Sequence, residues 1–95
     1  MTGHTLRVLD AILSSKDEPS GADISRETKL PSGTLYPILI RLEAAKWLES
    51  TWEEVDPREA GRPRRRFYKV TALGAAKARA AAREVHGMVG RLAWG

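Results

Sequence analysis

Apolar residues recur at helical spacing at both ends of the chain and around position 40, and alternate in between. Over residues 5–13, Leu6, Leu9 and Leu13 lie on one side, and Val8 and Ile12 widen the stripe into an amphipathic helix. Asp17-Glu18-Pro19-Ser20-Gly21 breaks it. Ser20, with Asp23 three residues on, is a short capping-box start. It predicts a second helix over 21–29, short and polar, with Ala22 and Ile24 as its main inward residues. Leu30-Pro31-Ser32-Gly33 reads as a turn in which Pro31 stops one helix and Ser32 caps the next. The third helix, 33–45, is the most strongly patterned. Leu35, Ile38, Leu39, Leu42 and Ala45 share one face, and Gly33, Tyr36, Pro37, Ile40, Arg41 and Ala44 share the other. Pro37 removes one backbone donor and predicts a slightly irregular N-terminal turn.

The period then changes from 3.6 to 2. Trp47 to Glu54 is β-prone, with Leu48, Ser50 and Trp52 on one face. Arg66 to Thr71 is a second strand, with Tyr68 and Val70 on one face and Phe67 and Lys69 on the other. The stretch Val55 to Arg64 is too polar and too broken by Pro and Gly for regular structure. It reads as a long, mobile, basic-tipped hairpin loop. Thr71 caps a final helix of about 20 residues. On it Gly74, Ala78, Ala81, Val85, Met88 and Leu92 form a heptad stripe, small at the start and large at the end.

Composition narrows the function classes. The 95 residues make one domain's worth of chain, with 42% hydrophobic and 29% charged residues. Cys is absent, which excludes a disulfide scaffold, a thiolate zinc site and a Cys nucleophile. His4 and His86 have no partner at metal-ligand spacing, so no metal and no cofactor are expected. No P-loop and no GxSxG is present, and no carboxylate pair stands out as a site, so the chain does not read as an enzyme. Glu53, Glu54, Asp56 and Glu59 read as a solvated wing base. No apolar run approaches the roughly 18–20 residues that span a bilayer. His4, Arg7 and Asp10 interrupt any secretory signal. The expected setting is cytoplasmic and nucleoid-associated, with no membrane partner.

Charge placement says more than its total. The net is +4, but residues 1–59 hold 7 basic and 11 acidic side chains, while residues 60–95 hold 9 basic and 1 acidic. Most of that excess is Arg62-Pro63-Arg64-Arg65-Arg66 with Lys69. A clustered basic tract fits a polyanion partner. A basic RNA-binding module, or a protein-interaction module without operator specificity, remains a second class on composition alone. Competition between palindromic duplex, RNA of equal charge and heparin separates them.

The order helix, short helix, turn, longer helix, hairpin, long helix is that of a winged helix-turn-helix. The fold class expected is therefore mainly α with a small β-hairpin: a DNA-binding unit over 1–71 and a C-terminal dimerisation helix over 72–95. Two stretches carry a more specific signal. One is Ser32-Gly33-Thr34-Leu35-Tyr36-Pro37-Ile38-Leu39 with Arg41-Leu42-Glu43. The other is Trp47-Leu48, the wing from Asp56 to Thr71, and Gly74. Over about residues 5–75 the chain resembles the PadR family of bacterial transcriptional regulators, and its short C-terminus is similar to the subfamily with one dimerisation helix. The resemblance implies a homodimeric, usually repressing, operator-binding protein, with a small aromatic or xenobiotic compound as a candidate effector. Three positions depart from the family pattern. Ile40 replaces a frequent basic residue beside Arg41, which shifts phosphate contact or base preference. Lys46 stands where a Gly commonly ends the helix, and a left-handed cap there costs about 1 kcal/mol. Gly21-Ala22 replaces a frequent Gly-Tyr.

The residues expected at DNA are Ser32, Gly33, Thr34, Tyr36, Pro37 and Arg41 on helix 33–45, in the major groove. The wing, 58–66, adds Arg62, Arg64, Arg65 and Arg66 on the flanking backbone or minor groove. Val8, Ile12, Ala78, Ala81, Val85, Met88 and Leu92 are the expected dimer interface. Trp47 and Trp52 are open to two uses, stacking a planar ligand or packing in the core or an interface. Trp94, near the end of the final helix, is open to an interface role or to disorder.

Overall fold

The computed structural model describes the backbone of residues 3–94 and the side chains of residues 3–84. Its elements are α1 (Gly3–Leu13), α2 (Gly21–Thr28), α3 (Ser32–Ala44), β1 (Leu48–Trp52), α4 (Pro57–Ala60), β2 (Arg66–Val70) and α5 (Ala72–Trp94). This is a mostly helical winged helix-turn-helix with one two-stranded antiparallel sheet. No helix among the described residues is long and apolar enough to cross a membrane.

The caps follow local chemistry. Ser20 and Asp23 close a full capping box on α2, with the Asp23 N–H donating to Ser20 Oγ at 3.2 Å and the Ser20 N–H to Asp23 Oδ2 at 3.0 Å. That exchange holds the Asp23 carboxyl below its ordinary range, chiefly through the Ser20 N–H. Ser32 is not a cap: α3 starts one residue earlier, with Pro31 as N-cap and no side-chain bond. Pro37 lies inside α3, which runs continuously past it. The carbonyl it cannot bond belongs to Gly33, on the solvent side. Thr71 Oγ1 accepts the Gly74 N–H at 3.0 Å and donates to the Lys46 carbonyl at 2.7 Å, tying the start of α5 to the end of α3. Lys46 takes the left-handed conformation, φ 67°, that the missing glycine would have filled.

One core serves the whole unit. Val8, Leu9 and Ile12 of α1, Ile24 of α2, Leu30, and Leu35, Ile38, Leu39 and Leu42 of α3 pack with Leu48, Tyr68 and Ala78. The inward stripe of α3 is as expected except for Ala45, which is exposed because the chain turns away at the helix end. Ala22 also points to solvent, and Ile24 alone anchors the middle of α2. In the hairpin, Leu48 pairs with Val70, Ser50 with Tyr68 and Trp52 with Arg66. The segment before α2 joins this sheet: Ser20 bridges Phe67, and the Tyr68 N–H donates to the Pro19 carbonyl at 3.0 Å. The break in the sequence at residues 17–21 thus doubles as a one-residue edge strand.

Two further expectations fail in the wing and α5. The wing loop is not irregular throughout. Asp56 caps α4 by accepting the Arg58 N–H at 2.9 Å, Pro57 sits in its first turn, and Gly61 ends it at φ 68°. Nor is the small half of the α5 stripe spare. Gly74 and Ala78 are buried within the chain as α5 packs on α1 and β2.

Candidate nucleic-acid interface

The outward stripe of α3 carries Gly33, Tyr36, Pro37, Ile40, Arg41 and Ala44, all exposed, as the periodicity predicts. Ser32 and Thr34 sit on its first turn, exposed and half-buried. One flank of the stripe faces the wing across a groove of about 530 Å³, walled by Tyr36 and Ile40 on α3 and by Trp52, Arg64 and Arg65 on the hairpin. Its third wall is Gly21 and Ala22 at the start of α2. Tyr36 reaches that wall, and a Cβ on Gly21 would stand 2.6 Å from its hydroxyl oxygen. Gly21 is therefore the seat of Tyr36. Arg41 lies on the other flank, beside Thr5, Ala45 and Trp47.

The basic tract divides into bound and free cations. Arg62 forks onto Glu53, Nη1 to Oε1 at 2.6 Å and Nη2 to Oε2 at 3.0 Å. Glu53 also accepts the Arg65 N–H at 3.3 Å. These contacts hold the Glu53 carboxyl below its ordinary range, the Arg62 hydrogen bonds first. Glu53 is thus a wing organiser rather than a solvated charge.

Arg66 is also held within the chain. Its Nε donates to Ser50 Oγ at 2.8 Å and its Nη2 to Glu43 Oε1 at 3.3 Å, and its guanidinium carbon lies 4.9 Å from the Trp52 ring centroid. Ser50 in turn donates to Glu43, the leading reason that carboxyl titrates below its ordinary range. Arg64 spends one N–H on the Val55 carbonyl at 3.0 Å and is otherwise exposed. Among the described residues, Arg41 and Arg65 make no side-chain hydrogen bond or ion pair. Arg58 on α4 is a further exposed cation that the sequence pattern puts in the wing but not among the expected contact residues. Among the described arginines of α3 and the wing, those whose side chains stay open to a polyanion are Arg41, Arg58, Arg64 and Arg65. Arg62 and Arg66 build the surface.

The tryptophans do not form one stacking site. Trp47 is half-buried against the core, whereas Trp52 is 57% exposed on the wing groove, and they line different cavities. Among the described residues no three His, Asp or Glu side chains are grouped to hold a metal ion.

Several expected interface residues are already used. Val8, Ile12 and Ala78 lie in the core of their own chain, at 0%, 5% and 6% exposure, which leaves them no surface for a partner. Ala81 is half-buried. Val85, Met88, Leu92 and Trp94 lie outside the residues whose side chains are described.

Residues 21–80, from the start of α2 into α5, match the Transcriptional regulator PadR-like family. The chain belongs to this family. No curated protein sequence matches it significantly. A PadR family transcription regulator from Clostridium difficile R20291 superposes with a TM-score of 0.80 at 18% identity, covering 98% of this chain and 97% of that one. The structure of smu.1704 from Streptococcus mutans UA159 is 30% identical, with a TM-score of 0.70 and coverage of 99% and 91%. A single-residue mutant of S. aureus MepR, bound to an oligodeoxyribonucleotide, gives a TM-score of 0.76 at 19% identity over 98% of this chain and 64% of that chain. This PadR-like chain spans less than two thirds of the length of MepR and of two other matching structures.

Proposed function

We propose that this PadR-family protein is a sequence-specific repressor that binds a palindromic duplex site as a homodimer. α3 enters the major groove, and the wing, residues 58–66, follows the flanking backbone or minor groove. The observation that carries this reading is that the outward stripe of α3 and the exposed Arg64 and Arg65 border the same groove. Cations beside a protruding helix match a groove edged by phosphates. An RNA-stacking role is less well supported, because one face of Trp52, the most exposed aromatic described, is already covered by Arg66.

A single winged helix offers few base contacts, and two copies read half-sites about one DNA turn apart. The seam proposed is α5, where the sequence stripe continues through Val85, Met88 and Leu92. Next to it, Leu6, the exposed Leu13 and Ala82 border an apolar cavity of about 410 Å³ between α1 and α5. They take the place that the buried Val8 and Ile12 cannot.

The test is duplex binding across a salt series, with RNA of equal charge and heparin as competitors, and light scattering on the same samples. The expected result is a dimer whose log affinity falls linearly with log salt and which prefers some duplexes over others. Affinity independent of salt, or RNA and heparin competing as well as the preferred duplex, would overturn the reading.

A further inference from the structure

The middle of the α3 stripe offers almost no hydrogen-bonding side chain. Going across it, Ile40, Gly33, Ala44 and Pro37 lie between Tyr36 on the wing flank and Arg41 on the other. Ile40 is 67% exposed, the highest value for any large apolar side chain described. A free isoleucine there contributes nothing to the core, which Ile38 and Leu39 beside it already fill. The hydroxyl of Tyr36 is drawn back to Gly21, so it does not supply a donor in front of Ile40.

In the major groove, hydrogen-bond donors and acceptors distinguish most base edges. The one apolar landmark is the C5-methyl of thymine, which apolar side chains contact directly. We propose that Ile40 is a specificity-determining residue that recognises a thymine methyl in each half-site. This rests on α3 being the groove-entering helix. The arginines on either side, Arg41 on one flank and Arg64 and Arg65 on the other, take the phosphates and fix the depth at which Ile40 meets the base edge. Because Ile40 is exposed, its truncation leaves the core of α3 intact.

The experiment starts from random duplexes of operator length, from which the wild-type protein selects its preferred sequence. That duplex is then resynthesised with deoxyuridine replacing one thymine at a time, which removes only the methyl group. At one thymine in each half-site the wild type should lose about fourfold in affinity, the worth of one buried methyl. Ile40→Ala, which removes the contact from both subunits, should bind the parent duplex about sixteenfold more weakly than the wild type, as weakly as the wild type binds a duplex carrying uridine at that position of both half-sites, and should lose nothing more from either uridine. Circular dichroism of Ile40→Ala should match the wild type. Overturning results are a wild type indifferent to uridine at every position, or Ile40→Ala losing as much as the wild type from the same substitution. A wild type that binds duplexes but enriches no sequence would overturn both this inference and the reading it rests on.

Discussion

Replacing Gly74 by alanine sets helix propensity against packing. Alanine in the first turns of α5 would gain about 1 kcal/mol over glycine if nothing stood in its way. But a Cβ there would sit 2.2 Å from the Trp47 carbonyl oxygen and 2.9 Å from Val70 Cγ1. One of these neighbours is backbone and cannot rotate aside. Ordinary contact requires α5 and the hairpin base to part by about 1 Å. That carbonyl also accepts the Thr71 N–H at 3.0 Å, so the shift strains the bond joining the hairpin to α5. Overpacking costs about 1–3 kcal/mol and a lost hydrogen bond about 0.5–1.5. After the propensity gain, the net loss is about 0.5–3.5 kcal/mol, centred near 2. The melting temperature should fall by roughly 5–20 °C for a domain of this size. The assay is thermal unfolding followed by circular dichroism at fixed protein concentration, since the proposed dimer would make the midpoint concentration-dependent. Gly33→Ala is the control: nothing lies within 4 Å of its added Cβ, and its stability should match or slightly exceed the wild type. If Gly74→Ala melts at or above the wild-type temperature, the close approach of α5 to Trp47 is not a packing constraint.

Lys46→Gly should raise stability by roughly 0.5–1 kcal/mol, because Lys46 holds φ 67° and glycine adopts that conformation without strain; a lowered chemical-denaturation midpoint would refute it. Asp23, Glu43 and Glu53 all titrate below their ordinary range when folded, held by the Ser20 N–H, the Ser50 hydroxyl and the Arg62 guanidinium respectively. Their contribution is therefore present above the unfolded carboxylate range and lost as pH falls below about 4, so the midpoint should be flat near neutrality and drop in acid. A midpoint unchanged down to about pH 3 would contradict these pairings. Arg64→Ala should make the salt slope shallower by about 0.9 per contacting subunit, whereas Arg62→Lys keeps the charge but breaks the fork onto Glu53. The second variant should weaken duplex binding with little change of slope, and wild-type affinity would show that the Glu53 pair does not position the wing.

Much of this protein is written locally. The 3.6-residue stripe of α3, the Ser20–Asp23 box, the Thr71 cap and the alternation at Leu48–Trp52 each depend on residues within a few positions of one another. Periodicity and capping chemistry therefore predict the elements, their order and the outward face of α3. The short α4 was legible too, since Asp56, Pro57 and Gly61 are start and stop signals, but the polarity of the stretch masked them. What sequence could not decide is which partner each side chain takes. Arg62 and Arg66 look identical to Arg64 and Arg65 along the chain. Only the hairpin register sets Arg66 over Trp52 and against Glu43, 23 residues away, and only the path of the wing brings Arg62 to Glu53. The α5 stripe poses the same problem, because a heptad of small residues has one pattern whether it faces its own α1 or a second chain. Gly74 and Ala78 go inward because α5 packs on α1 and β2 of its own chain. Element type is a short-range consequence of backbone geometry. The choice between a free and a bound arginine, or an inner and an outer seam, is made by contacts between segments far apart in the chain.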